Sequence, residues 1–428
     1  MHLHHINDLI QLQDVTVSNY YISEDHVLFL SLCPTKSKQP CPCCRTQAFV
    51  ICKGSRQKLR QVRHLRCFNR ETILLIPMKR LFCKQCEVSF TYQYAFLAGK
   101  TRYTNDYKRE LSKPLVGTTV KQLTDTFKVP YSTGERFIKQ HLAHLIPSIQ
   151  RKVIAAAQGS TRLILGIDDF AIRKGHTYNT GFHDLRNGNL LTLVMGRTYQ
   201  TLIQNQALMK QLKELKPYAV VMDLARSYHK FVAEVFPDAI RIADRFHVNR
   251  YLTDALQAVR RRISLSLTPE SRKYLKRNKN LIGKRYDSLS EKEERKLGKL
   301  LNYSKELTEV YAIKESLINW YELSDETNSY RRLIQWIARA KALNIPELTE
   351  ALKPFENWTE EISNYHKCRY TNGSVEGRNN KIKTLIRRSY FLPNRMIYEN
   401  RIFLECNERF FIDELSVKNQ FEPVKLSV

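Results

Sequence analysis

The stretch LILGIDDFAIRKG, residues Leu163–Gly175, decides how the chain is interpreted. Four apolar residues and a glycine lead into two adjacent aspartates, Asp168 and Asp169, and a basic pair follows. A buried strand that ends in aspartate is a common way to present a metal ligand, although an aspartate that only caps the next turn is commoner. The choice between these interpretations depends on where the other carboxylates of the chain fall.

The segments around this stretch have an ordered succession of strand and helix patterns. Residue type and an Asn187-Gly188 turn signal predict a β-meander, followed by helix, strand, helix and strand. The predicted strands are 162–172, 177–184, 189–196, 218–223 and 239–244, and the predicted helices are 204–215 and 227–236. This is the order of a ribonuclease-H-like domain, so the fold class is multidomain α/β.

In that order the first and fourth strands lie side by side, which brings Asp168 and Asp223 together at their ends. Asp244 ends the fifth strand, one position further out, and is expected to be a supporting or structural residue. The Asp168–Asp223 pairing favours the metal-ligand interpretation over a turn cap. A two-metal site needs a third acid, and it must come from a helix later in the chain.

That helix is predicted in TNGSVEGRNNKIKTLIRRSY, residues 371–390. Glu376, Asn379 or Asn380, Lys383 and Arg387 recur at three- and four-residue intervals, so they share one helix face. One carboxylate among amides and cations suits a metal beside a phosphate. The simpler interpretation is a solvated basic helix with an intrahelical Glu–Arg pair; the two upstream aspartates favour the metal site.

Charge indicates a polyanionic partner. The 428 residues include 70 Lys or Arg against 42 acids, a net charge of +28, and hydrophobic residues make up 43%. Such a surplus favours nucleic acid, while an acidic membrane is the rival partner. The chain has no run of about 18 apolar residues and no signal-peptide pattern at its start, so no membrane association is expected.

Four of the ten cysteines have metal-ligand spacing. Cys41 and Cys44 form one Cys-x-x-Cys pair and Cys83 and Cys86 another, with 38 residues between the pairs that a hairpin must fill. Two such pairs are the ligand set of a Cys₄ zinc ribbon, and we expect one structural Zn²⁺. Cys43 could replace a neighbouring ligand, and a redox-active pair is the remaining alternative.

A helix pair follows the cysteines. Helices are predicted at 104–113, 118–127 and 132–145, and a four-residue turn, 128–131, joins the last two. Ser132 is a candidate N-cap with Glu135 as its capping-box partner. The pair resembles a helix-turn-helix whose second helix enters a DNA major groove, although similar pairs occur in proteins that never touch DNA.

The 152 residues between Asp223 and Glu376 exceed what the catalytic fold needs. Residues 251–354 are helical in pattern and highly charged, and 259–285 alone contain ten Lys or Arg against one acid. We interpret them as a helical insertion that projects from the catalytic domain. A solvated spacer is one interpretation of it; because its charge is one-sided, a DNA-binding arm or dimer surface is favoured.

A resemblance to a known family rests on the CPCC pair, GIDDFAIRKGHTY, the VVMD and DRFHV blocks and TNGSVEGRNNKIKTLIRRSY. Together these stretches resemble the DDE transposases of bacterial insertion sequences, specifically the ISL-three family. The resemblance implies a zinc finger, a helix-turn-helix that binds terminal inverted repeats, and a ribonuclease-H-like domain whose acidic triad is Asp168, Asp223 and Glu376. It also implies two Mg²⁺ or Mn²⁺ ions at the triad and double-stranded DNA partners, namely the transposon ends and the target. A homodimer or higher oligomer and a bacterial cytoplasmic location at the nucleoid are expected for the same reason.

Further residues are candidates around the triad. Lys174, Arg378, Lys383 and Arg387 are candidate DNA-phosphate contacts. His176 and His247 resemble family positions, but each is as well explained as a structural histidine.

The expected domains are listed here in chain order: 1–100 with the zinc ribbon, 101–155 with the helix-turn-helix, 160–250 as the first catalytic part, 251–355 as the basic insertion, and 356–428 as the second catalytic part. Two other functions compete with transposition, namely a non-catalytic DNA-binding regulator and another ribonuclease-H-like nuclease.

Overall fold

The computed structural model describes residues 3–173, 177–389 and 395–416. Lys174 and His176, both singled out above, lie outside these residues. The chain divides into two units, one of residues up to Leu145 together with those from Phe411 onward, and one of Ile146–Phe410. The division falls inside a helix near the end of the region predicted to hold the helix-turn-helix.

The first unit is a small twisted sheet followed by helices. Its elements in chain order are α1 (Leu3–Ile10), β1 (Val15–Ile22), β2 (Leu28–Pro34), β3 (Val50–Cys67), β4 (Arg70–Cys83), β5 (Val88–Thr91), α2 (Asn105–Ser112), α3 (Val120–Thr126) and the part of α4 (Tyr131–Gln158) up to Leu145. The strand order is β1-β2-β4-β3, with β5 on β4. The long β3–β4 hairpin fills the interval between the two cysteine pairs, as expected, and alternate residues such as Leu74 and Ile76 enter the core.

Helices α3 and α4 pack closely across a short turn. Thr119 caps α3 through a capping box with Gln122, which explains where this helix begins. The predicted Ser132 cap of α4 is wrong, because the helix already begins at Tyr131. The two helices meet at Gly134, where an added Cβ would lie 2.3 Å from Cγ2 of Thr124, so only glycine allows this approach.

The second unit is built on one mixed sheet. Its first elements are β6 (Ile164–Arg173), β7 (Thr177–Asp184), β8 (Asn189–Met195), α5 (Tyr199–Ile203), α6 (Gln206–Lys213), β9 (Ala219–Met222), α7 (Arg226–Val235) and β10 (Ile240–Ala243). The strand order is β10-β9-β6-β7-β8. The first and fourth predicted strands are therefore neighbours, and the fifth lies one position further out, as the sequence indicated.

Helices cover the sheet after β10. They are α8 (Arg245–Ser264), α9 (Pro269–Arg277), α10 (Glu291–Leu301), α11 (Lys305–Leu323), α12 (Ser329–Lys341), α13 (Pro346–Asn357), α14 (Thr359–Ser363) and α15 (Tyr365–Cys368). Their apolar faces share one hydrophobic core with β9 and β10, centred on residues such as Leu256, Trp320 and Trp336. The expectation of a projecting insertion is wrong, because this shared core joins the helices to the sheet.

The chain returns to the sheet through its last helices. These are α16 (Gly373–Arg388) and α17 (Arg395–Cys406); α18 (Glu408–Ser416) follows, and its residues from Phe411 onward belong to the first unit. Asn407 fixes the end of α17 to the sheet, since its side chain accepts from the backbone N–H of Leu190 and donates to the carbonyl of the same residue, at 3.1 and 2.9 Å. Within the described ranges, every helix is too short or too polar to span a lipid bilayer.

Candidate active site

Strand register brings Asp168 and Asp223 side by side. β6 and β9 are parallel, with Ile167 opposite Met222 as the last pair before the two aspartates. Because each aspartate directly follows its member of that pair, both carboxylates emerge at the same edge of the sheet. The apolar runs that precede them bury both strands and fix this register.

Three carboxylates gather at this edge. Asp168, Asp169 and Asp223 each offer an oxygen within 4.8 Å of the others. Asp169 is also held from outside the group, because Nη1 of Arg197 lies 3.4 Å from its Oδ2. Arg197 in turn stacks over the Tyr178 ring at 3.9 Å. Asp169 therefore has Arg197 as a cationic partner.

Burial is the largest cause that raises the pKa of both central carboxyls. The pKa of Asp168 rises to about 7, first because burial penalises its charge and second because Asp223 is near. Burial also raises the pKa of Asp223, against the influence of His247. The site in the absence of a cation thus carries an electrostatic cost that a bound cation would remove.

His247 links two strand ends. Its Nδ1 lies 2.7 Å from Oδ1 of Asp223 and 3.2 Å from Oδ2 of Asp244, and the contact to Asp244 is the one aligned as a hydrogen bond. Burial alone would lower the pKa of His247, but the two carboxylates raise it to about 10. The imidazole is therefore a cation between two acids, on the first turn of α8.

The start of α16 is tied to the ends of β6 and β10. The backbone N–H of Asn372 donates to Oδ1 of Asp244 at 3.0 Å, and its side chain donates to the carbonyl of Ile167 at 3.1 Å. This approach needs Gly166, where an added Cβ would lie 2.8 Å from Oδ1 of Asn372. Asp244 is thus a structural residue that joins β10 to α16, in line with its expected role.

Asn379 is the residue of α16 that contacts the carboxylate pair. Its Nδ2 donates to Oδ2 of Asp168 at 2.7 Å, and the backbone N–H of Asp169 donates to the other oxygen at 2.8 Å. Asn379 is buried. Helix α16 therefore packs against the same sheet edge that carries Asp168 and Asp223.

Glu376 lies one turn before Asn379 and is exposed. Among the described residues it is not a member of any group of carboxylates, histidines or cysteines close enough to share a metal ion. The structure therefore brings two of the three predicted acids together and leaves the third on the adjacent helix. Lys383 and Arg387 are exposed on the same helix, further along.

Arg378 occupies a different environment from the one expected for a phosphate contact. Its Nη1 lies 3.2 Å from Nδ1 of the buried His183, on β7. Burial lowers the pKa of the Arg378 guanidinium, and burial together with Arg378 lowers the pKa of His183 to about 3. In this structure the arginine joins α16 to the β7–β8 hairpin.

The carboxylate edge fits a divalent cation with oxygen ligands. Oδ1 of Asp223 and Oδ1 of Asn379 are buried with no aligned hydrogen-bond partner. Oδ1 of Asp223 does have an ion pair with His247, so Oδ1 of Asn379 is the atom left without a partner. A buried amide oxygen of this kind beside three clustered carboxylates is compatible with a site for a cation. Mg²⁺ and Mn²⁺ both favour such oxygen donors.

The cysteines form a second metal-binding group in the first unit. The sulfurs of Cys41, Cys44, Cys83 and Cys86 all lie within 4.8 Å of one another. Sγ of Cys44 and Sγ of Cys83 are 3.7 Å apart, close to the roughly 3.8 Å edge of a tetrahedron with ~2.3 Å zinc–sulfur bonds. Backbone N–H groups of Cys44 and Cys43 help to lower the pKa of Cys41 to about 7. The group is compatible with zinc, and Cys43 is exposed outside it.

Sequence reasoning missed Asn372 and Arg197 as residues of the site. It also missed that Asn379 contacts Asp168. Asn372 and Asn379 flank Glu376 at four and three residues, a spacing that in a sequence is typical of one helix face. That period was a usable signal for Asn372. Arg197 follows β8 without any pattern that would connect it to Asp169.

Comparison with known proteins identifies the family of the chain. A family model described as a transposase, of the DDE and ISL-three type, matches residues 165–402. The match begins just before Asp168 and ends beyond α16, so it includes the entire carboxylate edge.

Individual relatives carry the same description. The chain is 25% identical over 373 residues to the transposase for insertion sequence element IS1001 of Bordetella parapertussis, covering 85% of this chain and 87% of the relative. It is 26% identical over 246 residues to the transposase for insertion sequence element IS1557 of Mycobacterium tuberculosis strain H37Rv, covering 52% and 55%. Because the family model matches more than half of its length, the chain belongs to the ISL-three family of DDE transposases, and it is an enzyme of DNA transposition that uses divalent metal ions.

Proposed function

We propose that the chain binds the terminal inverted repeats of an insertion sequence and both cuts and joins DNA strands in one ribonuclease-H-like site formed by Asp168, Asp223 and Glu376. One observation carries the proposal: parallel pairing of β6 and β9 sets Asp168 beside Asp223. Asn379 of α16 then contacts that pair. Glu376 lies one helical turn before this contact on the same helix, and the proposal assigns it the third ligand position.

The three acids would hold the two divalent cations, Mg²⁺ or Mn²⁺. When bound, such ions lower the pKa of an attacking oxygen and stabilise a leaving oxygen. Asn379 and the backbone N–H of Asp169 hold the two oxygens of Asp168 in place. His247 and Asp244 fix the position of Asp223 from behind.

The chemistry consists of two displacements at phosphorus. Water forms a new P–O bond at the transposon end while the P–O3′ bond breaks, and the 3′-oxygen takes up a proton to become a free hydroxyl. This 3′-oxygen then attacks a target phosphodiester, losing its proton as the P–O3′ bond of the target breaks. The number of phosphodiester bonds is conserved in the second step, and no covalent enzyme intermediate is required.

Exposed cations would contact the DNA backbone. Lys383 and Arg387 lie on α16 beyond the acids. The helices after β10 add a group of exposed Lys or Arg that pair with no acid among the described residues, namely Arg261, Arg272, Lys273, Lys276, Arg277 and Lys279. Each phosphate neutralised adds about −0.9 to the slope of log affinity against log salt, so we expect a slope steeper than about −3.

The remaining parts of the proposal concern the first unit and the assembly. A structural Zn²⁺ on Cys41, Cys44, Cys83 and Cys86 would fix the base of the β3–β4 hairpin, and α3 with α4 would act as a helix-turn-helix on the repeat. Synapsis of two ends favours a homodimer or a higher oligomer. A DNA substrate of this kind places the protein at the bacterial nucleoid.

A cleavage assay on a duplex with the element's own terminal repeat tests the proposal. With Mg²⁺ or Mn²⁺, the wild-type chain should produce a 3′-OH nick at the repeat boundary and join that end to a second duplex, and EDTA should stop both. Glu376→Gln should bind and fail to cut, whereas Glu360→Gln, at another exposed glutamate of the same unit, should cut normally.

Two outcomes would contradict it. If the wild-type chain and Glu376→Gln bind equally and neither cuts, the chain acts as a DNA-binding regulator. If the wild-type chain cuts but never joins the 3′-OH to a second duplex, it is another ribonuclease-H-like nuclease.

A further inference from the structure

The tip of the β3–β4 hairpin has an unusual residue in its turn. Cys67 pairs with Arg70, so Phe68 and Asn69 alone form the loop. Both have positive φ angles, 49° and 62°. Two-residue hairpin loops of this kind favour Asn-Gly, because a side chain at positive φ clashes with the backbone. Here a phenylalanine occupies the position where asparagine is favoured.

This conformation has a cost that packing in the protein does not offset. A bulky residue at positive φ is a rare outlier, and such strain is most often retained at sites of function. Phe68 is 76% exposed, more than the other exposed large hydrophobic residues among the described part of the chain. The turn therefore presents an aromatic ring to solvent.

Basic side chains surround the ring. A depression of about 620 Å³ at the tip is lined by Phe68 together with Arg66, Arg70 and Lys128. Asp25 and Glu71 are the acids of the same depression. Glu71 is already paired with cations, since its Oε1 lies 2.9 Å from Arg63 and 3.2 Å from Lys128. The surface around Phe68 is therefore net positive, which fits a polyanion better than an apolar partner.

The tip is attached to the turn between α3 and α4. Nη1 of Arg63, on β3, donates to the carbonyl of Lys128 in that turn at 2.9 Å. The hairpin and the helix pair are thus one surface of the first unit. The exposed residues near the start of α4 include Ser132, Arg136 and Lys139, the positions that a second helix of this motif presents to a major groove.

We propose that this hairpin tip is a second DNA contact, in which Phe68 inserts against a base step beside the segment bound by α4. Arg66 and Arg70 neutralise the flanking phosphates. Apolar wedges of this type unstack a base step and bend the duplex, and positive side chains around them hold the backbone. The inference rests on the proposed function only in taking duplex DNA as the partner.

The test compares turn variants for binding to a duplex that carries the element's end, in EDTA so that no cleavage occurs. Phe68→Gly removes the ring at a positive φ angle that glycine adopts without strain, so the fold should be kept or stabilised. Asn69→Gly relaxes the same turn and keeps the ring, which makes it the matched control. Thermal unfolding of each variant checks that the fold is retained.

Aromatic stacking on a base corresponds to roughly a 5- to 150-fold change in affinity. We expect Phe68→Gly to lower the affinity for the duplex by a factor within that range. Phe68→Trp, which keeps an aromatic ring, and Asn69→Gly should both bind with wild-type affinity. A 2-aminopurine base at the inserted step should brighten on binding the wild-type chain and stay dim with Phe68→Gly. Arg66→Ala should make the salt slope shallower by about 1.

Different failures are distinguishable. If the wild-type chain binds the end duplex and Phe68→Gly binds equally well with the same 2-aminopurine signal, the hairpin inference is overturned and the proposed function stands. If Phe68→Gly changes the oligomeric state and leaves DNA affinity unchanged, the ring is a protein contact and the inference is also overturned. A wild-type chain that binds no end duplex overturns the proposed function itself.

Discussion

Replacing Asp168 with asparagine should stabilise the metal-free protein while it abolishes strand cleavage. Burial and Asp223 raise the pKa of Asp168 from 3.8 to about 7. A rise of about three pH units in a pKa corresponds to about 4 kcal/mol. Because the pKa is higher in the folded state, the carboxylate destabilises the fold: the penalty is absent below about pH 4, grows as the pH rises and is complete above about pH 7.

Two effects reduce the gain from Asp168→Asn below that limit. Asp168 is partly exposed, so solvent screens its charge. The carboxylate also accepts from Asn379 and from the backbone N–H of Asp169, and an asparagine keeps only one acceptor oxygen for them. A net stabilisation of about 1–3 kcal/mol at pH 8 remains, or roughly 2–12 °C in Tm for a unit of this size.

Calorimetric unfolding in EDTA at pH 8 and at pH 5 measures this difference. Asp168→Asn should raise Tm at pH 8 and by less at pH 5, and added Mn²⁺ should raise Tm of the wild-type chain only. Asp184→Asn is the matched control, because Asp184 is buried but accepts from the backbone N–H groups of Arg186 and Asn187. That variant should lose stability. If Asp168→Asn also lowers Tm at pH 8 in EDTA, the charged Asp168 carboxylate does not destabilise the fold.

Three further changes test other parts of the structure. His247→Gln should flatten the pH dependence of stability in EDTA. The pKa of His247 in the folded state, about 10, exceeds the ordinary value of 6.5. The histidine therefore stabilises the fold fully below about pH 6.5 and loses this contribution as the pH rises towards 10. An unchanged Tm profile from pH 6 to 10 would contradict it. Gly134→Ala should lower the free energy of unfolding by about 1–3 kcal/mol, because overpacking outweighs the ~1 kcal/mol of helix propensity gained. Adding Thr124→Ser should restore much of this stability, because it removes the clashing Cγ2. No recovery of stability in the double variant would argue against that contact. Cys83→Ala should abolish bound zinc in elemental analysis while Cys52→Ala, at an exposed cysteine, retains it; equal zinc in both variants would rule out the four-sulfur site.

Much of the sheet could be predicted because each strand is a local pattern. The apolar run before Asp223 and the Asn187-Gly188 turn each define an element without distant contacts, and the strand order followed from their succession. The helical region after β10 was misjudged for a related reason. Its Lys and Arg dominate the composition, whereas the apolar residues between them, such as Leu256 and Trp320, decide that it packs on the sheet.

The boundaries of α4 show the limits of local signals. Ser132 looked like a cap because serine accepts from backbone N–H groups, yet the helix already begins at Tyr131. The helix also continues to Gln158 through Pro147, where a proline normally ends a helix in an isolated pattern. Packing of residues such as Ile149 and Val153, both fully buried, outweighs that preference.

By itself the sequence determined which residues end strands and which share a helix face, since both depend on near neighbours in the chain. It therefore specified Asp168, Asp223 and the four paired cysteines. Only the tertiary structure decided which side chains meet: that Asn379, rather than Glu376, contacts Asp168, that Arg378 faces His183, and that Phe68 is left exposed among cations. These contacts join residues far apart in the chain, and their geometry depends on how α16 and the β3–β4 hairpin pack, which no local pattern encodes.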